Sequence, residues 1–175
     1  AVSPNAIYVT SSSYADPFIP AGTPLPLNST CTGSSDITIA KFGFSGNIVW
    51  GTYYGTTNED DGLSICVDGS ENVYVGGKSL GNGLGTSGAY KQSFGGDIDA
   101  LLIKLNSNGV RQWATYYGSN GFEYANGVAY APIVDLVYIG GPTNSADSIA
   151  STGAYISTKP GVTSGYLACF NTSGV

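Results

Sequence analysis

The chain has 175 residues, which is long enough for one domain with a sizeable core. Only 10% of the residues are charged, whereas 26 are glycine and 13 are tyrosine, a composition typical of a turn-rich β protein and not of a disordered chain. The net charge of −6 argues against nucleic acid or an anionic membrane as a partner, because both require a basic surface.

The predicted strands follow one another with short polar turns between them. A first strand is predicted within residues 1–13, and residues 14–35 are rich in Pro, Ser, Thr and Gly, which indicates a long loop. The next four strands are predicted within residues 37–46, 47–55, 63–69 and 72–77. In the third of these four, Leu63, Ile65 and Val67 alternate with polar or small residues, the period-two pattern of a half-buried strand. No stretch has a helical period, so the sequence predicts an all-β fold.

The same strands recur about 63 residues later. The stretch W-G-T-Y-Y-G at residues 50–55 returns as W-A-T-Y-Y-G at residues 113–118, and such a period indicates a repeat architecture. The chain is therefore divided into four parts: an N-terminal strand and loop, a first full repeat, a second full repeat, and the first strand of a third, at residues 1–35, 36–98, 99–165 and 166–175. We expect the repeat to be incomplete at both termini.

Four short antiparallel strands per unit of about 63 residues are typical of a β-propeller blade, whose two faces are buried only by stacking on similar sheets. The motifs W-x-T-Y-Y-G, N-V-Y-V-G-G, G-A-Y and D-A-L-L-I-K-L-N resemble the bacterial β-propeller repeat family known as SBBP repeats. The resemblance covers almost all of residues 36–175. It implies a propeller fold in large extracellular or surface proteins, generally without an assigned enzymatic activity.

Two full repeats cannot close a ring, because propellers need about four or more blades. Three explanations stay open: the chain is part of a longer repeat protein, it assembles with copies of itself into a ring or a filament, or its N-terminal segment substitutes for missing strands. Unpaired terminal strands are templates for pairing with another chain. We therefore expect a biological unit larger than one chain, with copies of itself or further repeats as partners.

Two N-glycosylation sequons occur, N-S-T at Asn28 and N-T-S at Asn171. In a chain this rich in Ser, Thr and Asn, chance is the alternative explanation.

The composition also bears on location. Few Lys and Arg, no His or Met, and many Ser, Thr, Gly and Asn favour a secreted or cell-surface location. No apolar run approaches the roughly 18 residues needed to span a bilayer, so membrane insertion is not expected.

Three cysteines in a chain that we expect to be exported leave at least one unpaired within the chain. Cys66 matches Ala129 of the second repeat, which favours a small buried residue. A disulfide between Cys31 and Cys169, within or between chains, stays open, because spacing alone cannot establish it. Metal ligation by cysteine is disfavoured, since there is no C-x-x-C spacing and no histidine.

Acidic residues raise two further hypotheses. Asp97 and Asp99 are candidates for Ca²⁺ ligands, although turn-capping carboxylates are the interpretation that we favour. Glycoside hydrolysis requires a pair of carboxylates. Glu59, Asp61 and Glu123 lie in equivalent turns and are the candidates for such a pair, although exposed acids are also ordinary in turns. A chain without histidine has no Ser-His-Asp triad, and we expect a non-enzymatic protein without a cofactor.

The function predicted from the sequence is that of an extracellular or cell-surface structural repeat protein, either self-assembling or part of a larger propeller. The alternative is a propeller module that binds a glycan or a protein through its tyrosines, which favour binding surfaces. Tyr53 and Tyr116 occupy matching positions of the two repeats, so packing is the role expected for them.

Overall fold

The structure is a computed structural model that describes residues 1–14, 19–20, 23–24, 27–28, 30–146, 149–159 and 161–175. Its ten strands are β1 (Ile7–Ser13), β2 (Asp36–Phe42), β3 (Ile48–Tyr54), β4 (Asp60–Val67), β5 (Val73–Ser79), β6 (Asp99–Leu105), β7 (Arg111–Tyr117), β8 (Gly127–Ala131), β9 (Leu136–Thr143) and β10 (Ser164–Asn171). The described residues contain no helix, which confirms the all-β prediction. Accordingly, no helix in the described ranges is long and apolar enough to cross a membrane.

The strands form three antiparallel sheets in chain order. The first sheet is β1-β2-β3, the second is β4-β5-β6-β7, and the third is β8-β9-β10. Only the second sheet has four strands in the described part of the chain. The sheets are out of phase with the sequence repeat, because residues 36–98 supply β2 and β3 to the first sheet but β4 and β5 to the second.

The second sheet is buried on both faces, and β6 shows why its sequence is almost continuously apolar. Leu101, Ile103 and Leu105 belong to the core shared with the first sheet, whereas Ala100 and Leu102 belong to the core shared with the third. All five are 0% exposed. Side chains of a strand alternate between faces, so a strand between two packed sheets needs apolar residues at every position that is not used for a specific polar contact.

Strand β4 differs from the simple alternation that the sequence predicts. Ile65 and Val67 pack against the core of the first and second sheets, as expected for one buried face. Leu63, expected on that face, is 41% exposed, because the register with β5 shifts between Gly62 and Ser64. A β-bulge leaves one residue unpaired and re-aims the side chains that precede it, a change that residue spacing does not reveal.

An indole N–H of each of the first two sheets donates a hydrogen bond to a turn of the next sheet. Trp50 on β3 donates from Nε1 to Ser107 O, in the turn between β6 and β7, at 3.0 Å. Trp113 on β7 donates in the same way to Thr172 O, just after β10, at 2.9 Å. Lys104 Nζ reaches the Thr172 carbonyl as well, at 3.0 Å. These contacts satisfy turn carbonyls that would otherwise be left without a donor beside the core.

Glu71, in the turn between β4 and β5, ties the N-terminal segment to the second sheet. Its carboxylate accepts hydrogen bonds from Ser3 Oγ at 2.7 Å and from Asn5 Nδ2 at 3.0 Å. It also forms an ion pair with Lys41, whose Nζ lies 3.0 Å from Glu71 Oε2. The Ser3 hydrogen bond and then the Lys41 contact hold the pKa of Glu71 down to about 2. The residue has a φ of 60°, a left-handed conformation that side chains other than Gly, Asn or Asp adopt at a cost.

Glu71→Gln should lower the free energy of unfolding at pH 7 by about 1–3 kcal/mol, because an amide accepts these bonds less strongly than a carboxylate does. A carboxyl whose folded-state pKa is lowered stabilises the fold above its unfolded pKa, and this stabilisation is lost as the pH falls through the folded value. Urea unfolding of both proteins should therefore show a gap at pH 7 that closes between about pH 4.5 and pH 2.

Asp97→Asn, at an exposed carboxylate, is the control and should leave stability unchanged. A gap between Glu71→Gln and the original chain that persists undiminished at pH 2 would contradict the role given to the Glu71 carboxylate.

Candidate functional site

Four acidic residues that are 0% exposed lie at one end of the sheets. Asp36 and Asp60 form what we call the first junction, at the start of β2 in the first sheet and of β4 in the second. Asp99 and Glu123 form the second junction, at the start of β6 and just before β8. The members of each pair are 24 residues apart in the sequence. Buried acids are rare unless they are paired, so these positions are the first place to look for a function.

A short parallel contact brings each pair together. Ser35 bridges Glu59 at the first junction, and Asp60 N donates to Ser35 O at 2.9 Å. Ile98 bridges Phe122 at the second junction. Every one of the four carboxylates also accepts a hydrogen bond from the backbone N–H four residues earlier; these donors are Thr32, Thr56, Gly95 and Ser119. The backbone of both junctions is thus built in the same way.

The second junction contains its own cation. Lys91 Nζ donates to Asp99 Oδ2 at 2.9 Å and to Gly118 O at 2.7 Å. A Cβ on Gly118 would lie 2.6 Å from Asp99 Oδ1 and 2.5 Å from Glu123 Oε2, so these two oxygens are at most about 5 Å apart. Burial raises the pKa of Asp99 more than the Lys91 contacts lower it, and the charge of Glu123 adds to the rise. Glu123 also accepts a hydrogen bond from the Thr143 hydroxyl.

The first junction has no such cation among the described residues. Asn28 occupies the backbone position that corresponds to Lys91 of the second junction, because the backbone N–H of each residue donates to a threonine Oγ1 on the neighbouring strand. Asp60 Oδ2 accepts from Thr56 N at 2.6 Å and from its hydroxyl at 2.8 Å. Asp36 Oδ1 and Asp60 Oδ1 are buried without a hydrogen-bond partner. Burial, and to a smaller extent the charge of Asp60, raises the pKa of Asp36.

A cavity of about 450 Å³ lies beside the second junction, lined by Tyr90, Lys91 and Tyr117 among others. A larger one, of about 1040 Å³, shares Tyr90 and Tyr117 and is also lined by residues of segments 143–146 and 149–159 and of β10. Tyr54 is the matching tyrosine of the first sheet, and it is covered by Arg111 of β7, whose Nη1 lies 2.8 Å from the Tyr54 hydroxyl. The described part of the third sheet has no strand equivalent to β7, so the cavities lie where such a strand would pack.

Both predicted glycosylation residues are exposed. Asn28 is held by its backbone, which bridges Tyr53 of β3. The Oδ1 of Asn171 accepts hydrogen bonds from Ser173 N and Val175 N and thereby closes the turn after β10. Ser29, the middle residue of the first sequon, lies outside the described residues. Attachment of sugar at either asparagine stays a prediction.

The cysteines are placed on different sheets. Cys31 lies beside β1, where its Sγ donates to Ser13 O at 3.3 Å, and Cys169 is exposed on β10 of the third sheet. The second sheet lies between them, so the structure does not bring Cys31 and Cys169 together within one chain. Cys66 is half-buried against the core of the second and third sheets, and burial raises its pKa to about 12.

The acidic residues singled out in the sequence do not form a single cluster. Asp97 is exposed while Asp99 is buried, and Asp99 lies beside Glu123 instead. Glu59 and Asp61 are both ion-paired with Lys78. The described ranges contain no group of three or more Asp, Glu, Cys or His residues that could hold a metal ion. Sequence reasoning missed the two junctions, although their common 24-residue spacing was a usable signal.

Tyr53 and Tyr116 are both 0% exposed, which confirms that they are packing residues and not part of a binding surface. Each lies within the W-x-T-Y-Y-G motif of its own repeat, on β3 and β7. Tyr90, Tyr117, Tyr155 and Tyr166 line the larger cavity instead, beside β10.

Residues 49–85 match the family model of the SBBP beta-propeller repeat, which confirms the resemblance seen in the sequence motifs. The match extends from β3 through β4 and β5. The chain is also similar to an uncharacterized WD repeat-containing protein of Acanthamoeba polyphaga mimivirus, with 24% identity over 161 residues. That alignment covers 84% of this chain but only 12% of the viral protein, so the chain spans a small part of the length of this relative.

Lys91→Met should lower the free energy of unfolding at pH 7 by about 3–5 kcal/mol, since it leaves two buried carboxylates without their cation. Acidification should shrink the deficit, because protonation of Asp99 removes the unpaired charge. Lys159→Met is the matched control, as Lys159 Nζ binds only the carbonyls of Asn144 and Val162 in the described structure. Equal losses in the two variants at pH 7, measured by urea unfolding, would contradict the charge-compensating role of Lys91.

Cys169 should react quickly with a disulfide reagent in the folded protein, whereas Cys66 should react at least about 100-fold more slowly, because a thiol with a pKa of about 12 is almost entirely protonated at pH 8. Cys169→Ser should remove a fast kinetic phase that Cys66→Ser leaves in place. Loss of the fast phase in Cys66→Ser would show that the Cys66 thiol is accessible after all.

Proposed function

We propose that this chain is a segment of a β-propeller-like repeat array, a non-enzymatic structural protein that is secreted or displayed at a cell surface. In this proposal the three sheets are blades of a repeat of about 63 residues, and the third sheet is completed by a fourth strand from outside the described residues. That strand comes from a further repeat of a longer chain or from another copy of this one.

The observation that carries the proposal is the contrast between the second and third sheets. In the second sheet, β7 covers the outer edge of β6 and places Arg111 over the ring of Tyr54 of the first sheet, 5.4 Å from its centre. In the third sheet, β10 corresponds to β6, and no described strand pairs with its outer edge. Tyr117, which corresponds to Tyr54, lines an open cavity instead. An unpaired edge beside an apolar cavity is a template for an added strand.

The side chains around this edge support the same conclusion. Leu167 on β10 is 74% exposed, and Tyr155 and Ile156 in the preceding segment are 101% and 64% exposed. A contiguous exposed apolar surface of this kind is uncommon on a finished monomeric sheet and marks an interaction site. The match of residues 49–85 to a propeller repeat, and the much greater length of the viral relative, support further repeats as the source of the covering strand.

The proposed location and the proposed absence of catalysis follow from the composition and from the contacts of the acidic residues. The exposed asparagines of both sequons and the low content of Lys and Arg support an exported protein. The ion pairing of Glu59 and Asp61 with Lys78 supports a structural role for these acids. Both features agree with a repeat module that builds a filament or a surface appendage.

A second candidate function is recognition of a glycan or a protein at the larger cavity. Tyr166 stacks on Tyr117 with ring centres 5.0 Å apart, and Phe170 meets the same ring edge-on at 6.0 Å. Aromatic side chains with polar groups beside them, here Lys159 and Ser164, are a common lining of binding sites. Glycan binding that is lost in Tyr166→Ala but retained in Tyr124→Ala, which lies away from this cavity, would favour this function over the structural one.

The structural proposal is tested by supplying the missing strand. A variant that carries a copy of residues 111–118 after Val175 should fold this copy against β10, since the turn at residues 171–175 matches the turn at residues 106–110. We expect the variant to melt several degrees above the original chain and to remain monomeric at concentrations at which the original chain self-associates. Light scattering coupled to size-exclusion chromatography measures the second effect.

A control extension with proline at two central positions has almost the same composition but cannot pair with β10. It should behave like the original chain in both measurements. The proposal is wrong if the unmodified extension neither raises the melting temperature nor changes the association state.

A further inference from the structure

In the second sheet, β7 is held along both of its edges. One edge pairs with β6, and the other is hydrogen-bonded to the loop between β5 and β6, whose residues 86–91 we call the second strap. Thr86 N donates to Ala114 O at 2.9 Å, and Tyr116 N donates to Lys91 O at 3.0 Å. At these residues β7 therefore offers no free backbone groups to a further strand.

The first sheet has the same arrangement. β3 pairs with β2 on one edge, and the segment that contains Pro24 and Asn28 lies along the other. Gly51 N donates to Pro24 O at 3.2 Å, and Tyr53 N donates to Asn28 O at 3.3 Å. Both donors occupy the positions of the strapped residues of β7 in the repeat, so the last strand of each of these two sheets is strapped at the same two positions.

The third sheet has a strap of the same construction. Residues 151–156 correspond to the second strap, and we call them the third strap. A hydrogen bond of 3.0 Å from Ala154 N to Ser151 O closes its turn, and the matching bond of the second strap measures 3.2 Å. The glycine in the turn has a φ of 84° in the third strap and 83° in the second. Residues of the third strap and of β10 both line the larger cavity, and no described strand pairs with β10 on that side.

Each strapped strand also inserts a tyrosine beneath its loop. Tyr116 and Tyr53 are the sixth residues of β7 and β3, and both are 0% exposed. The hydroxyl of Tyr116 donates to Gly81 O at 2.7 Å and accepts from Leu84 N at 3.0 Å. The hydroxyl of Tyr53 accepts from Ile19 N at 3.4 Å. The loop before the sheet's middle strand thus provides a seat for the sixth residue of the last strand.

The third sheet has the same seat, which opens into the larger cavity. Ile149 corresponds to Leu84, because the carbonyl of each accepts the hydroxyl of the last tyrosine of the preceding sheet, at 2.7 and 2.6 Å. Ser145 corresponds to Gly81, because the N–H of each donates to the hydroxyl two residues earlier. Ser145 and Ile149 both line the larger cavity, and no described residue is hydrogen-bonded to Ser145 O or Ile149 N.

We propose that β10 and the third strap form a slot for a single β-strand with tyrosine as its sixth residue, and that this tyrosine occupies the larger cavity. The inference rests on the proposed function, because it names the strand that completes the third sheet. Tyr116 pairs with Leu101, the third residue of β6, so the sixth residue of the added strand lies opposite Tyr166, the third residue of β10. Since the strap pairs with the outer edge of that strand, the slot takes one strand and does not start an open-ended sheet.

The amides of the third strap distinguish the slot from simple addition at an open edge. In the second strap, Thr86 N and Lys91 N each donate to β7 at 2.9 Å, and the matching amides are those of Ser151 and Ile156. We expect these two amides to exchange at least about tenfold more slowly in the variant that carries a copy of residues 111–118 after the last residue than in the original chain. Addition to β10 alone would slow the amides of β10 and leave both strap amides unchanged.

Variants of the added copy test the seat. Tyr116→Phe in the copy keeps the ring but loses both hydroxyl hydrogen bonds, and it should lower the melting temperature of the extended variant by about 2–4 °C. Tyr116→Ala in the copy should remove most of the stabilisation that the extension gives. Gln112→Ala in the copy is the matched control, because Gln112 is exposed on β7, and it should leave the melting temperature unchanged.

The possible failures are distinguishable. An extension that neither raises the melting temperature nor protects β10 would overturn the proposed function and the slot together. If β10 is protected while Ser151 and Ile156 exchange as before, or if Tyr116→Ala in the copy costs no more than Gln112→Ala, the strand adds to β10 without the slot. In that case the proposed function stands and this inference alone is wrong.

Discussion

Neighbouring sheets are held together where a tryptophan of one sheet donates to a turn carbonyl of the next. Trp50 and Trp113 make this bond to Ser107 and Thr172, and each stands at the edge of one of the two apolar cores. A sheet with two apolar faces is unstable alone, so the contact between sheets is what makes the array possible. The same requirement makes the third sheet unusual, since the described residues leave its outer edge unpaired and Tyr117 lines a cavity beside it.

Much of the fold was predictable, because its signals are local. The motif W-x-T-Y-Y-G marks β3 and β7, and the apolar run in β6 predicts a strand buried on both faces. The grouping of strands into sheets was not predictable in the same way. A repeat has no intrinsic starting point in the sequence, and the choice of residue 36 as the start divides both the first and the second sheet. The bulge at Leu63 depends on pairing with β5, which spacing within β4 does not encode.

The buried acids show a second limit of sequence reasoning. Asp97 and Asp99 attracted attention because they are close in sequence, yet Asp97 lies before β6 and is exposed, whereas Asp99 begins that strand and is buried. The partner of Asp99 is Glu123, brought in by a parallel contact between segments that belong to different sheets. The pairing of acids at each junction therefore depends on how neighbouring sheets stack. A single difference, Asn28 where the second junction has Lys91, changes the charge of a junction while the backbone hydrogen bond stays the same.

The central claim is that β10 presents an open edge that another strand covers. Residue-resolved hydrogen exchange of the backbone amides, followed by NMR at low and high protein concentration, tests it most directly. The account predicts that alternate amides of β10 exchange rapidly in the dilute protein and become protected as the concentration rises, while the amides of β6, which are paired on both sides, are protected throughout. Equal and concentration-independent protection of β10 and β6 would contradict it.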